Sequence, residues 1–292
     1  MKLGLGTVQF GLDYGVSNSD GRTPIHEAKR ILDYAASVGV QILDTSPSYG
    51  ISEQVLGTIA ADRSQFKVVT KTRPQVLGPD ELRTDLEMSL RRLSRSSAYG
   101  LLVHRTADLL SGNGADLYAE LVRLKEQGLV EKIGVSVYTA TEIDALLERY
   151  SIDLLQIPFN VLDQRLLLSG HLRRAKDLGI ECHARSVFLQ GLLLMSPESL
   201  TGNFKSLEGH LRSYRRFIAE RGFTPVSAAL GFALQVPEID VVLCGVNTLS
   251  QLEEIVGAVP ENPTRVDAME FGKFAIDNGR LLNPSLWSAG TA

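Results

Sequence analysis

Short apolar runs recur along the whole chain, and between them lie longer stretches with apolar residues at helical spacing. The runs are Lys2–Gly6, Val40–Leu43, Phe66–Thr70, Gly100–Val103, Lys132–Ser136, Leu154–Pro158, Ile180–Ser186 and Asp240–Leu243. The intervening pattern predicts helices over Pro24–Val38, Ser52–Ala61, Pro79–Leu93, Ala115–Gln127, Thr141–Tyr150, Gly170–Leu178, Leu207–Arg221, Pro225–Gln235 and Ser250–Val256, with a partly helical tail at Met269–Asp277. Punctuation agrees with this reading. Thr23 and Thr224 stand before prolines as candidate caps, and Gly39, Gly128 and Gly179 follow helices as stops. In Pro79–Leu93 the acidic residues come early and the arginines late, matching the helix dipole. Strands alternating with helices in one unbroken series predict an α/β fold, a closed (β/α)8 or TIM barrel. It forms one domain over residues 1–292, with a tail from about 260 to 292 expected near the active-site rim. An open doubly wound sheet is the alternative. It wants a glycine-rich phosphate loop after the first strand, and Gly4-Leu5-Gly6 is followed instead by Thr7-Val8-Gln9-Phe10-Gly11.

Composition narrows the function classes. Apolar residues make up 44% of 292, enough for a full core. A formal charge of −4 leaves no basic footprint for nucleic acid. No apolar run approaches a membrane span, and Met1-Lys2-Leu3-Gly4 leads straight into the first strand without a leader-like stretch. Cys182 and Cys244 lie in apolar runs and read as buried thiols of a reducing, cytoplasmic compartment. The spacing of Cys and His does not suggest a structural zinc.

The chemistry is concentrated at strand ends. The run Val40–Leu43 closes on Asp44, Phe66–Thr70 on Lys71, and Gly100–Val103 on His104, with Tyr49 in the loop just after Asp44. In a parallel barrel these ends form the catalytic rim. Each residue also has an ordinary explanation: Asp44 as a turn cap, Lys71 solvated, His104 structural, Tyr49 on the surface. Their occurrence at successive strand ends favours a cluster. A phenol titrates near 10, and a nearby ammonium, held by a carboxylate, is expected to lower it. Tyr49 would then give a proton to a carbonyl oxygen while His104 orients that oxygen. Such a set suits carbonyl reduction or alcohol oxidation, and the hydride must come from a nicotinamide cofactor.

These positions also resemble the aldo-keto reductase family. The motifs are LGLGTVQFG at Leu3–Gly11, ILDTSPSYGISE at Ile42–Glu53, VVTK at Val68–Lys71 and LLVHR at Leu101–Arg105. KIGVS at Lys132–Ser136, LLQIPFN at Leu154–Asn160 and LCGVNTLSQLEEI at Leu243–Ile255 extend the match over nearly the whole chain. The resemblance implies a barrel binding NADPH or NADH, with a catalytic tetrad of Asp44, Tyr49, Lys71 and His104. It implies cofactor contacts from Gly6, Thr7, Asp44, Ser136, Gln156, Arg185, Ser186, Gly245, Asn247, Thr248, Gln251 and Glu254. Ser136 and Gln156 match positions that hold the nicotinamide carboxamide, although Val137 replaces a usual asparagine. Arg185 stands where many members carry an aromatic ring under the nicotinamide; ring stacking, a pyrophosphate contact and a substrate contact all stay open for it, beside a plain rim ion pair. The loop Gly245–Thr248 resembles a phosphate-binding turn whose free N–H groups would favour an anion. Gly245–Gln251 lacks the Arg or Lys that often grips a 2′-phosphate, so the choice between NADPH and NADH stays open, with NADPH the family expectation.

The expected partner is a carbonyl-containing small molecule, sugar-like or aliphatic. Its pocket is expected from Tyr14, Val16, Pro47, the loop after His104, Phe159, Asn160, Phe188, Leu189 and the tail near Leu282–Trp287, where Trp287 either closes over the substrate or anchors the tail. The short Arg105–Asn113 stretch argues for an open site. Three other functions fit parts of the pattern: a Schiff-base aldolase on Lys71, a non-redox isomerase, and a cofactor-binding regulatory or interaction subunit.

Overall fold

The computed structural model describes residues 1–73, 78–259 and 268–287. Eight parallel strands close into a barrel in sequence order: β1 Leu3–Gly6, β2 Ile42–Asp44, β3 Lys67–Lys71, β4 Ala98–Val103, β5 Val130–Ser136, β6 Leu154–Pro158, β7 Glu181–Arg185 and β8 Val241–Gly245. β1 pairs with both β2 and β8, so the sheet has no open edge. The doubly wound alternative is thereby excluded. All the predicted strands form, most of them shifted by a residue or two at the ends.

Around the barrel run α1 Val8–Gly11, α2 Ile25–Ser37, α3 Ser52–Ile59, α4 Pro79–Leu93, α5 Thr106–Leu110, α6 Gly114–Glu126, α7 Ala140–Leu147, α8 Arg165–Leu168, α9 His171–Asp177, α10 Glu208–Ala219, α11 Pro225–Leu234 and α12 Leu249–Gly257. The short turns α13 Ala268–Phe271 and α14 Gly279–Leu282 follow. α1, α5 and α8 fall where the sequence suggested only loop, each being too short to show a period. Thr224 caps α11 as expected, in a reciprocal pair with Ser227. Thr23 does not cap α2: Pro24 takes the cap position, and the Thr23 hydroxyl donates to the Asn247 carbonyl at 3.1 Å, tying the β1 loop to the β8 loop. Of the expected tail, residues 260–267 and 288–292 lie outside the described residues. The expected partly helical stretch at Met269–Asp277 begins as α13 and a tight turn at Gly272–Phe274, and the chain leaves the helical path at Ala275 until α14.

Two apolar layers make the core. Ile42, Val69, Leu102, Leu154, Val241 and Leu243 fill the barrel interior, and a larger set fills the space between strands and helices. Both layers are needed to hold the strand ends in register, because each strand is only a few residues long. Cys182 and Cys244 are free, buried thiols, as the sequence suggested. Among the described residues, no helix is long and apolar enough to cross a membrane.

Candidate functional site

The C-terminal ends of the strands open on one cavity of about 510 Å³. Asp44 ends β2 and Lys71 ends β3, and their register brings the side chains together: Lys71 Nζ lies 2.6 Å from Asp44 Oδ1. The pair is nearly sealed from water, with side chains 1% and 8% exposed. Lys71 also donates to the Thr45 carbonyl at 3.0 Å, and Gln156 Nε2 donates to the same Asp44 oxygen at 2.6 Å. Thr7 holds the strand end from below, its N–H and hydroxyl both donating to the Asp44 carbonyl. Thr7 thus fixes the backbone of Asp44 and Gln156 fixes its carboxylate.

Tyr49 is placed by a close approach of backbones. A Cβ on Gly11 would lie 1.7 Å from the Tyr49 carbonyl oxygen, and Gly50, at φ +56°, would bring a Cβ to 2.4 Å from the Gly11 carbonyl. Only glycine allows α1 and the Tyr49 turn to touch. Ser52 then pins the turn, its hydroxyl donating to the Thr7 carbonyl at 2.8 Å. The Tyr49 ring stands edge-on to His104, centres 6.4 Å apart, and Lys71 Nζ lies 4.9 Å from its centre.

The electrostatics differ in one respect from expectation. The phenol of Tyr49 is pushed above its usual value, first by burial and then by the Asp44 carboxylate; the cation that pulls the other way is Arg185, not Lys71. The ammonium of Lys71 is engaged by Asp44 and Thr45, and burial lowers its own pKa against the pull of Asp44. His104 is lowered to about 4, by burial first and then by Lys71, so its imidazole is neutral at neutral pH. Its backbone N–H donates to Thr72 Oγ1 at 3.1 Å, and Nδ1 lies 3.5 Å from Ser46 Oγ. A protonated phenol and a neutral imidazole thus face the cavity, each able to donate a hydrogen bond into it.

Gly6, Thr7, Asp44, Ser136, Gln156, Arg185, Ser186, Gly245, Asn247, Gln251 and Glu254 all line the cavity. Thr248 caps α12 instead, its hydroxyl accepting from the Gln251 N–H. The N–H groups of that turn are not free as expected. Asn247 N and Thr248 N donate to Gln251 Oε1 at 2.7 and 3.4 Å, and Leu249 N donates to Glu27 Oε1 at 2.7 Å. Val137 is fully buried, and the cavity wall continues with Tyr138.

Of the expected substrate contacts, Tyr14, Phe188 and the tail residues Pro284 and Ser285 line the cavity. Phe159 and Leu189 are fully buried in the core, Phe159 stacked on Phe232 at 5.1 Å. Trp287 is an anchor: its indole N–H donates to the Arg280 carbonyl and its ring meets Phe204 edge-on at 4.7 Å. Gln9, Asn18 and Tyr138 line the cavity without having been singled out from the sequence. Gln9 and Tyr138 follow the ends of β1 and β5, which was a usable signal; Asn18 lies in a long loop and carried none.

Comparison with known proteins agrees with this arrangement. The model of the aldo/keto reductase family matches residues 2–273. The chain is similar to L-galactose dehydrogenase of Arabidopsis thaliana, 28% identical over 288 residues, covering 89% of this chain and 84% of that protein. It is similar to the NADH-specific methylglyoxal reductase of Escherichia coli, 23% identical over 267 residues, covering 79% and 82%. In fold it resembles the holo form of an aldo-keto reductase from Bacillus halodurans, with a TM-score of 0.74 and 20% identity, covering 100% of this chain and 95% of that one. A barrel whose strand ends gather an Asp–Lys pair, a phenol and a neutral imidazole, matched by the family model over nearly its full length, belongs to the aldo/keto reductase family.

Proposed function

We propose that this protein reduces an aldehyde or ketone with a nicotinamide dinucleotide, or runs the reverse oxidation, with Tyr49 as the proton donor. The supporting observation is the buried Asp44–Lys71 pair facing the same cavity as Tyr49 and His104. When bound, the nicotinamide supplies hydride to the carbonyl carbon. Tyr49 gives its proton to the carbonyl oxygen as the alcohol forms. His104, neutral, donates a hydrogen bond that orients that oxygen. The Asp44 carboxylate, itself held by Gln156, fixes Lys71 beside the phenol ring and favours its charged form against burial, so positive potential meets the negative charge that develops.

Two features fit a dinucleotide. Gln9 Oε1 is buried without a hydrogen-bond partner, and Gly245 opposite it has no side chain: a Cβ there would sit 2.6 Å from Gln9 Nε2 and close the cradle. Ser136, Gln251 and Glu254 complete the walls that would hold it. The names of similar proteins support a small carbonyl compound or a sugar as substrate. Buried, unpaired thiols suit a cytoplasmic setting.

The α12 N-terminus favours NADH. A helix N-terminus attracts an anion, but the Glu27 carboxylate from α2 already occupies this one through Leu249 N. That bond, with Arg30 adding to it, holds Glu27 below the usual carboxylate range. A 2′-phosphate would meet this charge and that of Glu254. Fluorescence titration with NADH and NADPH in parallel, followed by a small aldehyde panel, tests the reading. NADH should bind more tightly, and Glu27→Gln should move the affinity ratio toward NADPH by roughly threefold, the scale of one charge at a helix end. NADPH binding tighter than NADH, with no gain from Glu27→Gln, would reverse the choice; failure of both nucleotides to bind would end the reductase reading.

The aldolase alternative is less well supported. Burial lowers Lys71, as a Schiff-base lysine requires, but the amine is bonded to Asp44 and Thr45 and its side chain is 1% exposed.

A further inference from the structure

Arg185 lines the cavity, and the proposed reduction leaves it without a task. Tyr138 covers one face of its guanidinium, 4.2 Å from guanidinium carbon to ring centre. Two long hydrogen bonds hold its edge, Nη2 to the Val137 carbonyl at 3.2 Å and Nη1 to Ser186 Oγ at 3.5 Å. A guanidinium has five N–H donors, so most of them have no partner among the described residues. Nor does a carboxylate pair with it among those residues. The other charged groups of the cavity wall do not offset it. Asp44 is bound to Lys71, His104 is neutral, and Glu254 stands on α12 beyond β8. Arg185 acts on Tyr49, Tyr14 and His104 through its charge, which places it at the reacting end and apart from Gln251 and Glu254.

The geometry points to Arg185 as the binding group for a carboxylate on the carbonyl substrate, so that the preferred substrates are aldehydes or ketones carrying an acid group a few bonds from the carbonyl. A planar guanidinium stacked on a ring points its unpartnered N–H donors edgewise, the direction of the two-oxygen grip that a carboxylate offers. The same edge would meet a dinucleotide pyrophosphate equally well in charge, and the test separates the two. The proposal rests on the reductase reading for its chemistry, but its anion site is measured independently of turnover.

Succinic semialdehyde and butanal are four-carbon aldehydes that differ at the far end, carboxylate against methyl. The parent protein should prefer succinic semialdehyde in kcat/KM by at least about tenfold, the scale of one charge-assisted contact. Arg185→Leu should erase that ratio and weaken succinate binding, measured by calorimetry, about as much. Arg185→Lys should fall between, because a point charge lacks the fork. A parent ratio near one, or no succinate binding, overturns the proposal. So does an Arg185→Leu protein that loses both aldehydes equally and loosens NADH in the fluorescence titration, since the guanidinium would then serve the dinucleotide. A parent that binds succinate through Arg185 yet reduces neither aldehyde with either nucleotide would sink the reductase reading and leave the carboxylate site standing.

Discussion

Strand β7 carries two charged residues that face the barrel interior at opposite ends. At its start, Glu181 accepts hydrogen bonds from Tyr99 at 2.7 Å, from Lys132, and from His183 at 2.6 Å. At its end, Arg185 lies against the Tyr138 ring and donates, among the described residues, to a carbonyl and a hydroxyl at long range. The floor is tied around one carboxylate, with His183 Nδ1 the one buried atom of the cluster that has no partner among the described residues. Burial alone would raise the Glu181 carboxyl, yet its three donors together hold it at about 2, and Lys132 is raised in turn. At the mouth the balance runs the other way: burial wins over partners at Lys71, His104 and Tyr49, and each is pushed toward its neutral form. Polar groups whose donors and acceptors are used up hold a fold together. Groups held against their charge, with valences left over, are available for a ligand.

The contrast is sharpest in what each end should lose on mutation. Tyr49→Phe should cut turnover by at least about a hundredfold, the usual scale for general acid catalysis, with thermal stability kept; undiminished reduction would remove the proposed proton donor. Glu181→Gln should do the reverse. It leaves Lys132 and His183 short of an acceptor and should cost roughly 1.5–3 kcal/mol in denaturant unfolding, the range for a hydrogen bond to a charged group, while kcat stays near that of the parent. A large kcat loss there would show that floor and mouth are coupled.

Acid should separate the two ends by pH. His104 sits at about 4 when folded against 6.5 unfolded, so the unfolded chain binds the extra proton and stability falls as pH drops from about 6.5 to about 4. Glu181 sits at about 2 against 4.5, so its contribution is complete above about 4.5 and is lost from there down to about 2. Unfolding curves across this range should show the upper window flattened by His104→Gln and the lower one by Glu181→Gln. Equal effects in one window would mean that the two ends titrate together.

The mouth was more legible in the sequence than the floor, for a physical reason. A residue that ends an apolar run marks a strand end, so Asp44, Lys71 and His104 could be placed on one rim without knowing the barrel's dimensions. The floor needs Tyr99, Lys132 and Glu181 from three strands to converge inside, which depends on tilt and register that no single strand encodes. Closure hides information in the same way. Glu27 and Leu249 meet only because β1 and β8 pair, and that contact, 222 positions apart, turned an expected anion site into an occupied one. Phe159 and Leu189 were expected at the pocket because they follow strand ends, but the β6 and β7 loops fold back on the barrel. Leu189 does so in a stretch where Ser186, Leu189 and Gln190 all have positive φ, a backbone path that side-chain pattern does not announce.

Gly11 carries no functional group, yet it limits how the acid can be set. With 1.7 Å between a hypothetical Cβ and the Tyr49 carbonyl oxygen, any side chain at position 11 would lever the turn outward and carry the phenol with it. Redesign of this pocket for other substrates therefore has freedom at Tyr14, Phe188 and Ser285, whereas the hinge between α1 and the Tyr49 turn behaves as a fixed mechanical stop.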